Sequence, residues 1–198
     1  MTNTNNANTY SKRQLEEIKT GKMNGVNLEK YVTPQFTPEQ MREIRWGMED
    51  GVNVRIYADR RFSPSQMSQL RIGGMSSINT GYYANPKFNW EQMSEIRKGL
   101  EAQLDVRVYT NEKYDAKQMR ELRLGLTQGL DIFQYNDQNI SWEYMNEIRN
   151  TMYVSQQGQF KSTEKENQQT THPPRFFDVS NQQHKNQKTE KQNDELER

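Results

Sequence analysis

The chain has 198 residues, only 31% of them apolar, and its 27 Lys and Arg nearly cancel its 26 Asp and Glu. An ordinary globular domain is roughly 45% apolar, so the core is thin or part of the chain stays unfolded; near-neutrality argues against nucleic-acid binding by bulk charge and against DNA mimicry. With no cysteine and only His172 and His184, disulfides, thiolate zinc sites, cysteine nucleophiles and a folded histidine acid–base site are excluded.

Residues 1–9 are short and polar and are expected to be disordered. They hold no apolar h-region, and no run anywhere approaches the roughly 18 apolar residues of a membrane span. The expectation is a soluble, cytoplasmic protein with no membrane contact.

From Tyr10 onward the chain repeats every 26 residues. Large apolar residues recur at Tyr10, Phe36, Phe62, Phe88, Tyr114 and Ile140, and again at Leu15, Met41, Met67, Met93, Met119 and Met145. The same step carries Ile18, Ile44, Leu70, Ile96, Leu122 and Ile148, a glycine column from Gly21 to Gly125, and a tyrosine column from Tyr31 to Tyr135. The pattern gives units 10–35, 36–61, 62–87, 88–113 and 114–139, then a half-unit 140–154. A fixed period of this length is the signature of a repeat architecture.

Each unit opens with helix-start chemistry. Ser11, Thr37, Ser63, Asn89, Asp115 and Ser141 follow the aromatic and are good N-caps. Pro38 and Pro64 stand at the first helical position, and Gln40, Gln66, Gln92 and Gln118 complete a capping box. Phe36 before the cap and Met41 after it form a hydrophobic staple. A helix of about 13 residues is expected, with its apolar stripe spaced like Met41, Ile44 and Met48. It stops near Gly51 or Gly129 in a left-handed C-cap. Gly47 and its equivalents lie beside the stripe, which points to close approach of neighbouring helices there.

The second segment of a unit alternates like a strand, as in Val52-Asn53-Val54-Arg55-Ile56-Tyr57. A strand would suggest a leucine-rich-repeat horseshoe. However, Asn27, Asn53, Asn79, Asp105 or Asp131 always stands second, and Asn and Asp favour caps over strands. The segment therefore reads as a short helix of one or two turns. The predicted fold is all-α, a right-handed α-solenoid of 26-residue helix–short-helix repeats, with residues 155–198 as a disordered polar tail.

The pattern QMxEIRxGLxxGLDVxxYxxxxF, clearest in residues 92–114 and 118–140, resembles the short repeats of Firmicutes phage, plasmid and conjugative-element proteins. The resemblance covers about residues 36–150, and Gly74, Thr80 and Gly81 depart from it. It implies a bacterial, intracellular, mobile-element protein and carries no catalytic or binding residues.

Several columns suggest chemistry. Arg45, Arg71, Arg97, Arg123 and Arg149 edge the stripe and could form an anion-binding ladder; alternatively they pair with caps of the Asn53 or Asp105 type, or stack on the tyrosines. Glu17, Glu43, Glu95, Glu121 and Glu147 fall on the opposite side of an isolated helical wheel and read as a solvated face. Trp46, Ile72 and Leu124 share one outer position that packing does not require, and so mark a candidate partner-binding surface. Phe176 and Phe177, after Pro173-Pro174, form the tail's apolar island and a candidate linear motif.

No P-loop, GxGxxG, HExxH, GxSxG or EF-hand pattern occurs. No enzymatic activity, cofactor, metal or small-molecule substrate is expected. The sequence reads as a scaffold binding another protein along an extended face, in one variant an inhibitor of a host defence system. The alternative is a nucleic-acid-associated protein of mobile-element transfer or replication using the arginine column. Removing the tail from Ser155 takes seven charges of each sign, so the repeats stay balanced and favour a protein partner.

Overall fold

In the computed structural model, which describes residues 9–170 and their side chains as far as Gln159, the repeat is written in helix caps. Six α-helices start 26 residues apart: α1 Lys12–Met23, α2 Pro38–Glu49, α3 Pro64–Met75, α4 Trp90–Glu101, α5 Ala116–Thr127 and α6 Trp142–Thr170. Ser11, Thr37, Ser63, Asn89 and Asp115 each accept from the backbone N–H three residues on, and the Gln there accepts from the cap N–H. Both orphan donors are thereby satisfied.

The second segment is a single 3₁₀ turn of three residues: Leu28–Lys30, Val54–Ile56, Thr80–Tyr82, Val106–Val108 and Ile132–Gln134. It is shorter than the expected helix. The side chains of Asn53, Asn79, Asp105 and Asp131 accept from the N–H two residues on, which closes an Asx turn and not a longer helix. Asn27 makes no such bond. Among the described residues there is no strand, and the architecture is an all-helical repeat.

The glycine after the helix does what the sequence predicts. Gly25, Gly51 and Gly129 take φ of +81°, +73° and +68°. Units 3 and 4 place Ser77 (φ +56°) and Gln103 (φ +58°) in the same left-handed turn, where a Cβ is unfavourable. Gln103→Gly is expected to raise the unfolding free energy by about 0.5–1 kcal/mol. Chemical denaturation checks this, and a loss of stability would mean the side chain makes a contact worth more than the strain.

Mid-helix glycines have a different origin from the one expected. A Cβ on Gly47, Gly73, Gly99 or Gly125 would overlap the hydroxyl of Tyr57, Tyr83, Tyr109 or Tyr135, which lies ten residues on in the same unit, not in the neighbouring helix. Those four tyrosines are 0–1% exposed. Tyr57, Tyr83 and Tyr109 donate to the carbonyls of Glu43, Gln69 and Glu95, closing each helix onto its own turn.

One core cluster runs from Ile18 to Met145, and α1 to α4 each pack on the helix next in sequence. The capping glutamine also joins the units. With its Oε1 on the cap N–H, its Nε2 is free to donate to two carbonyls of the following loop. Gln40 reaches Arg60 and Phe62, Gln66 reaches Pro86 and Phe88, and Gln92 reaches Glu112 and Tyr114. Only an amide serves both ends. Gln92→Ala removes one buried and two partly buried hydrogen bonds and is expected to cost about 2 kcal/mol. Gln92→Glu should cost more, because a carboxylate cannot donate to Tyr114 O; a thermal melt in which Glu matches Gln would refute the clamp.

The chain divides into two units, Met1–Val154 and Ser155–Arg198. Where a disordered tail is expected from Ser155, α6 continues to Thr170. Its Gln, Glu and Lys are good helix formers, and intrahelical bonds need no apolar core. Residues 171–198, with Phe176 and Phe177, lie outside the described residues.

Candidate functional site

The arginine column faces the glutamate column of the preceding unit. Arg45 Nε lies 2.9 Å from Glu17, Arg71 Nε 3.0 Å from Glu43, Arg123 Nε 2.8 Å from Glu95 and Arg149 Nε 2.7 Å from Glu121, each pair 28 residues apart. In unit 3 the acid is replaced, and Arg97 donates to Gln69 Oε1 at 3.0 Å. The predicted solvated acidic face is thus corrected. Glu43, Glu95 and Glu121 are buried, because the next unit covers what an isolated wheel assigns to water.

Further pairs reinforce the ladder. Within a unit Arg45 also holds Glu49, Arg97 holds Glu101 and Lys98 reaches Glu95, and across a joint Arg71 also holds Asp50. Burial works against the charge of Arg45 and Arg71, but the hydrogen bonds they donate to their carboxylates, with the charges of those carboxylates, outweigh it and raise both pKa values. Burial raises Glu95 as well, and its bonds from Lys98 and Arg123 bring it net below the usual carboxylate value. Burial pushes the buried tyrosine hydroxyls up, Tyr135 to about 12. The arginines stand where the sequence places them, at the stripe edge, with their guanidiniums on carboxylates; the Asn53 and Asp105 caps bind Arg55 N–H and Arg107 instead.

Of the three outer-position candidates, only Trp46 is an exposed apolar group, at 37%. Ile72 and Leu124 are half-buried, which corrects the reading of all three as one exposed column. The Trp46 ring lies amid three guanidiniums, with Arg42, Arg45 and Arg71 at 5.9, 5.7 and 5.4 Å from its centroid. Arg45 and Arg71 are fixed by their carboxylates, so the indole is held and not free. Trp90 is exposed, while Lys117 Nζ sits 4.5 Å over the half-buried Trp142.

Sequence reasoning passed over the exposed apolar residues of the turns. Ile56, Tyr82 and Phe133 are 43%, 41% and 75% exposed. The signal was present in the second segment's alternation, once the Asx cap and buried tyrosine were placed. Among the described residues no cluster of three or more His, Cys, Asp or Glu could hold a metal, and no helix is long and apolar enough to cross a membrane. Comparison with protein-family models, with curated proteins and with solved structures finds no match.

Proposed function

We propose that the repeat domain is a non-enzymatic scaffold, a right-handed α-solenoid of the cytoplasm, that binds another protein along a face centred on Trp46. The observation that carries this reading is the exposed indole fixed among Arg42, Arg45 and Arg71. Trp and Arg dominate the energetics of protein interfaces, and a rigid anchor loses little entropy on binding. Nothing in the packing of unit 2 requires a tryptophan there, since the same position holds Thr20, Lys98 and Asn150 elsewhere. Charge balance favours a protein over a nucleic acid. So does the use of the arginine column by its own carboxylates. A bacterial mobile element or phage as source, and a host defence protein as partner, fit the sequence resemblance.

The test is affinity capture from a Firmicute lysate with the full chain and with Trp46→Ala, each with and without nuclease. One stoichiometric protein that survives nuclease and is lost with Trp46→Ala supports the reading. Material that disappears with nuclease, or a protein retained equally by Trp46→Ala, overturns it.

A further inference from the structure

The bonds that join neighbouring units leave unused halves at the two ends of the array. Every internal joint places the residue of the arginine column on the residue 28 back in the unit before it, a glutamate in four joints and Gln69 in the other. In unit 1 the arginine column holds Lys19, which is exposed and faces no earlier unit among the described residues. In unit 6 the glutamate column holds Glu147, which is exposed and faces no later unit among the described residues. Neither side chain makes an ion pair among the described residues.

The apolar contacts show the same incompleteness. Met41, Met67, Met93, Met119 and Met145 are 0% exposed, whereas Leu15, their equivalent in unit 1, is 51% exposed. Leu15 lines an open groove with Ile18, Lys19, Lys22 and Met23 on the outer side of α1. On α6, Tyr144 and Val154 are 56% and 70% exposed. The joint register supplies further matches. Asn24 bonds Glu49 across the first joint, 25 residues on, and the equivalent pair across an end-to-end joint is Val154 with Met23. Arg13 pairs with Glu39, 26 residues on, and the equivalent pair is Glu143 with Arg13. Two register partners oppose the match: Glu16 stands where Arg42 meets Glu17, and Tyr144 stands where the capping glutamine of the earlier units donates to the following loop.

We propose that unit 6 of one molecule takes the place of a missing unit before unit 1 of a second copy, with Glu147 on Lys19 of that copy. This joint uses a different surface at each end, so it propagates head to tail beyond a dimer, as an open chain or as a ring where the rotation closes. It uses the array's own joint chemistry and stands apart from the Trp46 reading.

The experiment is sedimentation velocity of the full chain over a wide concentration range, with Lys19→Glu, Glu147→Lys and the double charge swap. Both residues are exposed, so the fold should survive, and circular dichroism checks it. The wild-type sedimentation coefficient should rise with concentration without levelling at a dimer. Lys19→Glu, which leaves Glu147 between two acids, should weaken association by at least about tenfold, and adding Glu147→Lys should restore it. A concentration-independent monomer would overturn the proposal. So would a closed dimer, or growth that Lys19→Glu leaves unchanged.

Discussion

Replacing Glu95 with alanine is expected to cost the repeat domain about 3 kcal/mol, because it strands Arg123 at a joint with little water. Glu95 is buried and receives Arg123 from the next unit and Lys98 from its own. Removing one partner of a buried pair costs far more than the pair contributes, since the remaining charge keeps its desolvation penalty. Glu95→Gln should be much milder. Unit 3 already uses this solution, with Gln69 accepting from Arg97. Acid titration gives a second readout. The folded-state pKa of Glu95 lies below its unfolded value, so its contribution is complete above the usual carboxylate range, near pH 4, and is lost as pH falls through the folded value. Wild type should therefore lose more stability than Glu95→Gln between about pH 5 and pH 3. Equal costs for Ala and Gln, with parallel pH profiles, would show that the joint does not depend on this pair.

Gly73→Ala should cost about 3 kcal/mol, against the helix-propensity gain of about 1 kcal/mol that such a change brings in an open helix. The new Cβ overlaps the Tyr83 hydroxyl, and the ring is fully buried and cannot swing out. Removing the oxygen makes room: the next atoms are Thr80 Cγ2 at 3.1 Å and Tyr83 Cζ at 3.2 Å. Tyr83→Phe alone loses one hydrogen bond to Gln69 O, about 1 kcal/mol. The double variant should be more stable than Gly73→Ala. Additive costs would mean that glycine is there for another reason.

What the sequence discloses of this fold is what is local. Caps, staples and the left-handed stop at Gly51 depend on a few neighbouring residues, and all stand where the period places them. The glutamate column was misread because a helical wheel knows only its own helix. Glu43 faces water on α2 taken alone and faces Arg71 once α3 is packed beside it. The glycine column was read as a sign of close helices for a similar reason, since the tyrosine that fills the space belongs to the same unit through a turn of unforeseen shape. The second inter-unit bond of the glutamines was equally hidden, as a capping box accounts for Oε1 and leaves Nε2 unassigned. For the candidate surface, the sequence picked out Trp46 by its departure from the column. It could not distinguish Trp46 from Ile72 and Leu124, because exposure depends on the neighbouring units.

The units form an array in which each is stabilised by its neighbour in sequence. Truncation after Gln138 tests this most directly, because it removes Arg149 from Glu121, Ile140 O from Gln118, and Met145 from the core. The array should keep the helical signal of units 1 to 5, with the thermal midpoint lowered by about 10 °C as the end of unit 5 is exposed. An unchanged midpoint would contradict the account, and so would complete loss of helix, which would mean a single closed core.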